Sequence, residues 1–334
     1  MSATIKLENK HFPVLLKELV SIISPLYGGT FLDCTFGQGG YSKKILEKKN
    51  NKVIAIDRDY DVNSCAKELK KKYNNRFHFQ NIKFSEISEV KINSKELKAI
   101  IFDLGYSTNQ IKDLKRGLSF KSTGKLNMKM GLNDFSCHEV ISNMSESNLY
   151  KIFKYYGDEK YSKKIARKII EIRKKKIINT EDLTKIVDRA KSFKYSKTNN
   201  STKVFQALRI FVNKEISELI NGLIKAFYLI PVGGIIAVVT FHSIEDKIVK
   251  FFFKNYSEEK NSSRYMPDKE SKIRCFDLKN KKPIIPSAEE LKLNPPSRSA
   301  KLRFAVKINN ECNFDEFIQK FKQLLDIENL QFDK

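Results

Sequence analysis

Three short apolar runs in the first third of the chain, "TFLDCT", "KVIAID" and "AIIFDLG", each carry an aspartate: Asp33, Asp57 and Asp103. Runs of this length and composition read as buried strands. "RFHFQ" is a weaker strand candidate, and "YSKKILEKK" and "DVNSCAKELKKKY" have helical spacing. Strand–helix alternation of this kind predicts an α/β fold: a parallel sheet with helices on both faces. Ligands of such sheets sit beyond the carboxyl ends of the strands. Asp57 and Asp103 are expected there.

The connection after the first run, "FGQGG", holds Gly37, Gly39 and Gly40. Glycine lets a chain turn tightly and lets a ligand approach the main chain. Asp57, at the end of the second strand, is placed to accept both hydroxyls of a ribose. The pair reads as an adenosine-type nucleotide site. A pyrophosphate site would need G-x-G-x-x-G running into a helix, or G-x-x-x-x-G-K-[ST], and neither is present. A nucleoside carrying a positive sulfonium, S-adenosylmethionine, therefore fits better than a nicotinamide dinucleotide. A plain tight strand–helix connection is the bland alternative.

After "AIIFDLG" the alternation stops. Residues 116–205 show helical patterns such as "SESNLYKIFKYYG" and "YSKKIARKIIEIRKKKI", with no convincing strand. In the second pattern Ile165, Ile169 and Ile172 share a face, and the basic residues lie mostly elsewhere, as a solvated or a phosphate-binding surface. Strand signals return at "GGIIAVVTFHS" and "KLRFAVKI". The expected organisation is an α/β domain in two parts, 1–115 and 206–334, interrupted by a helical insertion at 116–205. "SKTNNSTK", at 196–203, reads as a linker, and "KNYSEEKNSSRYMPDKESK" as a surface loop.

A formal net charge of +24 favours a polyanion partner, although a Lys-, Asn- and Ile-rich composition could also arise from genome bias. No run reaches the roughly 18 apolar residues that span a bilayer. The N-terminus lacks an apolar signal segment, so a soluble, cytoplasmic protein is expected. In that compartment the five cysteines are expected as free thiols. Cys137 and His138 are adjacent, a poor spacing for a shared metal, and no metal is expected.

Six motifs occur in order: "HFPVLLKELV", "FLDCTFGQGGYS", "IFDLGYSTNQIKDLKRGLSF", "KVFQALRIFVNKE", "GGIIAVVTFHSIEDKIVK" and "NPPSRSAKLR". Together they closely resemble the bacterial MraW (RsmH) family, over about residues 11 to 305. The resemblance implies a Rossmann-like methyltransferase sheet interrupted by a helical substrate domain. It implies S-adenosylmethionine-dependent methylation of N4 of a cytidine in the decoding region of small-subunit (16S) ribosomal RNA, within the small ribosomal subunit. Cofactor contacts implied at matching positions are Gly39, Gly40 and Tyr41 at the methionine end, Asp57 at the ribose and Phe84 near the adenine. Asp103 and Gln110 complete the pocket.

Asp103 is also the expected hydrogen-bond acceptor for the reacting amine, because a carboxylate ending a buried strand is costly unless it binds something. His242 and Ser243 in "TFHSIED", and Asn213, are candidates to touch the target nucleotide, with a helix cap as the structural alternative for His242. Arg298, Lys301 and Arg303 are candidate phosphate contacts. Three positions depart from the family pattern: Tyr41 stands where His is usual, Asn127 replaces an acidic residue in "LNMKM", and Pro296 replaces an Arg.

Overall fold

The computed structural model describes residues 13–24, 27–122, 124–191, 199–258 and 273–332. The start of "HFPVLLKELV", residues 196–198 of the expected linker and residues 259–272 of the expected surface loop lie outside the described residues.

The chain divides into two compact units. The first comprises Met1–Asn81, Glu89–Gly105 and Ala226–Cys312. Among its described residues the seven strands are β1 (Gly29–Asp33), β2 (Asn51–Ile56), β3 (Phe77–Gln80), β4 (Leu97–Asp103), β5 (Ile235–Thr240), β6 (Phe276–Asp277) and β7 (Lys301–Lys307). They form one sheet in the order β3-β2-β1-β4-β5-β7-β6. The first five are parallel, and β7 runs antiparallel to both β5 and β6. This is a Rossmann-like α/β sheet.

The parallel strands are apolar on both faces because helices cover both. Phe31, Leu32, Val53, Ala99, Ile100, Ile101 and Ala237 are fully buried. Helix Gly40–Leu46 buries Tyr41, Ile45 and Leu46, and helix Asn63–Tyr73 buries Ala66 and Leu69. Strand order reverses between β1 and β4. The chain leaves one strand to the left and the other to the right, so their carboxyl ends flank a crevice. Asp33 and Asp103 stand at those two ends.

The two-residue strand β6 was not visible as a pattern. It brings Cys275 beside the chain leaving β7, where the Ile308 N–H donates to the Cys275 carbonyl at 2.9 Å. Cys275 is joined there to Cys312 in a disulfide. The expectation of five free thiols is corrected for this pair, since 37 residues of sequence separation gave no hint of proximity. Cys34, Cys65 and Cys137 are free.

The second unit comprises Ile82–Ser88, Tyr106–Lys225 and Asn313–Lys334. Its described residues contain no strand. The expected insertion, 116–205, lies inside it, but the unit is wider at both ends. It also takes in helix Asp315–Glu328 from the far end of the sequence. The Tyr156 hydroxyl donates to the Leu324 carbonyl at 2.6 Å, and Glu328 accepts the N–H groups of Ile216 (2.8 Å) and Ser217 (3.0 Å). These contacts satisfy N–H groups that open helix Glu215–Leu229. Helix Ser162–Arg173 buries Ile165, Ala166 and Ile169 and exposes Lys163, Lys164 and Arg167. No described helix is long and apolar enough to cross a membrane.

Candidate active site

The glycine turn and the second strand's carboxylate are one structure. The Gly37 N–H donates to Asp57 Oδ2 at 2.8 Å, and the Asp59 N–H donates to Asp57 Oδ1 at 2.8 Å. Two bonds use about half of a carboxylate's roughly four acceptor positions, so capacity for ligand hydroxyls remains. Burial raises Asp57 to about 6, against these two backbone bonds; the nearby charges of Asp59 and Asp33 raise it further.

Gly39 lies in the left-handed region at φ +72°, and its N–H returns to the Phe36 carbonyl at 2.7 Å. A Cβ there would meet the Phe36 ring at 2.8 Å. Phe36 cannot yield, because it is 2% exposed and packs on Phe77 and Phe79. Gly39→Ala is therefore expected to cost about 2–3 kcal/mol of stability, from backbone strain and overpacking. Denaturant unfolding checks this, and a midpoint equal to that of the wild type would contradict the geometry. A Cβ on Gly40 would collide with Pro13.

The site also uses three residues that the sequence reading did not assign. Asp33 is fully buried, accepts the Ser42 hydroxyl at 2.6 Å and accepts the Thr35 N–H at 3.3 Å. Burial raises it to about 6, partly offset by those bonds. The Thr35 hydroxyl accepts the Asp103 N–H at 2.7 Å and so ties the end of β1 to the end of β4. Asp103 Oδ1 is covered and has no hydrogen-bond partner. Burial, then the charges of Asp33 and Glu245, push Asp103 well above the usual carboxylate range. A covered acceptor without a partner costs roughly 1–3 kcal/mol, more if charged. The charge of Asp33 raises both Asp57 and Asp103, which suits a ligand that brings positive charge and N–H or O–H donors.

Asp33 and Asp57 have folded-state values above the ordinary 3.8. Their contribution to the stability of the ligand-free fold is present at low pH and is lost as pH rises through about 6.

Beyond β5, His242 is the N-cap of helix Ser243–Asn255, in a capping box with Glu245. Glu245 accepts the N–H groups of Phe241 (2.8 Å) and His242 (3.2 Å). The structural alternative for His242 is thus realised. His242 nevertheless lines a pocket of about 290 Å³ with Phe241, Ser243, Arg298 and Lys301. Four of the six expected substrate residues meet in that pocket.

Arg303 is corrected. It is 9% exposed and its Nε lies 2.7 Å from Asp246 Oδ1, while Lys301 Nζ lies 2.8 Å from Asp246 Oδ2. Burial pushes Asp246 up, but the bonds from Arg303 and Lys301 outweigh it and hold the carboxyl below its ordinary value. A buried, paired guanidinium is not a phosphate contact. Arg298 is exposed.

Asn213 is corrected as well. It is fully buried in the helical unit, accepts the Met130 N–H at 2.9 Å and donates to the carbonyls of Met128 (2.9 Å) and Arg209 (2.8 Å). It locks the "LNMKM" segment, where Met128 adopts a left-handed φ of +58°. The Tyr41 side chain is part of the core. It is 3% exposed and its hydroxyl donates to the Val14 carbonyl, so only the main chain of Tyr41 is left for a ligand. Phe84 and Gln110 belong to the helical unit. Phe84 opens a turn whose Ser85 donates its hydroxyl to Glu218 at 2.9 Å, and Gln110 forms a capping box with Ser107.

The model of the MraW methylase family matches residues 8–308. A protein of Ehrlichia canis (strain Jake) named ribosomal RNA small subunit methyltransferase H is 43% identical over 303 residues, 89% of this chain and all of that protein. Proteins of the same name from Ehrlichia ruminantium (strain Welgevonden) and Orientia tsutsugamushi (strain Boryong) are each 39% identical. They cover 89% and 91% of this chain and 99% and 100% of their own lengths. With its acid-lined glycine turn on a Rossmann-like sheet, the chain belongs to the MraW methylase family of S-adenosylmethionine-dependent methyltransferases.

Proposed function

We propose that this protein methylates N4 of a cytidine in the decoding region of small-subunit ribosomal RNA. Methylation of small-subunit ribosomal RNA from S-adenosylmethionine is the activity its relatives support. The base, the atom and the location are the finer reading. The observation that carries it is the covered, unpartnered Oδ1 of Asp103 at the strand-order reversal. An exocyclic amine offers the N–H donors that this oxygen lacks.

The residues present fit the cofactor. Asp57 retains acceptor capacity for ribose hydroxyls, and the missing Cβ atoms of Gly39 and Gly40 let the turn beside it pack against Phe36 and Pro13. Bound there, S-adenosylmethionine supplies an electrophilic methyl on a positive sulfonium. A cation at this edge favours the ionised form of Asp33, Asp57 and Asp103 alike.

Ionised Asp103 accepts a hydrogen bond from the cytosine amine. That bond orients the nitrogen and draws its lone pair out of conjugation with the ring. No strong base is needed before attack, because the proton leaves readily once the nitrogen carries positive charge. The Thr35 bond fixes the main chain at the end of β4 from which the Asp103 carboxyl extends. His242, Ser243, Arg298 and Lys301 are proposed to receive the substrate, and the helical unit to recognise RNA. The setting is the cytoplasm and the substrate is the small ribosomal subunit.

Cofactor affinity is expected to fall as pH drops below about 6, by up to about tenfold per pH unit, because Asp57 becomes protonated there. Titration of S-adenosylmethionine across that range checks it, and a flat affinity would contradict the role of Asp57. The location is tested by methylating unmodified small subunits with labelled cofactor and mapping the label. Label in the decoding-region fragment supports the reading, and label confined to other fragments refutes it.

A further inference from the structure

Tyr106 stands three positions after Asp103 in the chain and is 45% exposed. The Arg209 guanidinium lies over its ring, 4.8 Å from the centroid. Arg209 is itself only 7% exposed. Its Nη2 donates a hydrogen bond to Glu215 Oε2 at 2.9 Å, and its Nε lies 2.8 Å from Oε1 as an ion-pair contact. All three residues belong to the helical unit. Arg209 comes from helix Thr202–Asn213 and Glu215 opens helix Glu215–Leu229.

Each part of this arrangement restricts the next. A carboxylate that takes one hydrogen bond and stands in ion-pair contact with a second nitrogen restricts a guanidinium. A fixed cation against an aromatic face fixes the ring through cation–π attraction. The cation occupies one side of the Tyr106 ring, and the residue stays 45% exposed. An ordinary surface tyrosine loses rotamer freedom when a partner binds, at a cost of about 0.5–1.5 kcal/mol. Here that freedom is already restricted. A held aromatic ring with exposed π surface, on a chain of formal charge +24, fits a flat unsaturated ring borne on a polyanion.

We infer that Tyr106 is a stacking platform for a base of the RNA substrate, with Arg209 and Glu215 as its positioning residues. This rests on the proposed RNA methylation. The hydroxyl plays no part in stacking, and the ring does.

The chain contains no tryptophan, so Tyr106→Trp introduces a single indole. Its fluorescence should be quenched when a 16S ribosomal RNA fragment spanning the decoding region is added, in the absence of cofactor. In methylation assays, Tyr106→Ala should raise the KM for small subunits about tenfold to a hundredfold and leave S-adenosylmethionine affinity unchanged. Tyr106→Phe should behave as the wild type. An unquenched indole, a wild-type KM in Tyr106→Ala, or equal losses in Tyr106→Phe and Tyr106→Ala would overturn the inference. The indole reports stacking without turnover. Quenching with no methylation by the wild type would therefore remove the proposed reaction and leave the platform standing.

Discussion

Asp103→Asn is expected to lower kcat for methyl transfer by about 10²- to 10³-fold, the usual range for removing a placed hydrogen-bonding group from a reacting centre. The substitution keeps the shape of the side chain and the Thr35 bond to its N–H. Its amide puts an N–H donor beside an amine that also donates, and it removes the charge that would take up the proton. Stability should not fall, because a carboxyl that burial and like charges push well above its usual range is replaced by a neutral group. Single-turnover kinetics, with thermal unfolding alongside, separates these effects. A variant with wild-type kcat would remove Asp103 from the chemistry.

Asp57→Ala is expected to weaken S-adenosylmethionine binding by at least about 10²-fold. Hydrogen bonds to a charged group are worth about 1.5–3 kcal/mol each, and two ribose hydroxyls are at stake. The loss has a second source. The Gly37 N–H loses its partner, so the turn beneath the cofactor loosens as well. Calorimetric titration of the variant checks the prediction. Unchanged affinity would show that Asp57 serves only the turn.

The opening motif was legible because the relevant signals are local. Three apolar runs bearing aspartates, separated by helical spacing, predict strands, their parallel pairing and the edge where acids collect. The grip of Asp57 on Gly37 was not legible. A hydrogen bond across 20 residues leaves no trace in composition. Arg303 and Asn213 were misread for the same reason. Basic and amide side chains near a site look like ligand contacts until their partners are known. Asp246, 57 residues before Arg303, claims the first, and the backbone of "LNMKM", more than 80 residues before Asn213, claims the second. Tyr41 reads as polar, yet its ring is core and the Val14 carbonyl takes its hydroxyl. The helical segment was visible as an absence of strand signal. Its extent was not, because the partner of Tyr156 is a helix some 168 residues later in the chain.

The most direct test of the central claim is the identity of the product nucleoside. Small ribosomal subunits lacking the modification are incubated with the protein and S-adenosylmethionine labelled in its methyl group, and the RNA is digested and resolved. Label is expected in N4-methylcytidine and is lost in Asp103→Asn. Label in any other nucleoside, or none despite measurable cofactor binding, would contradict that claim.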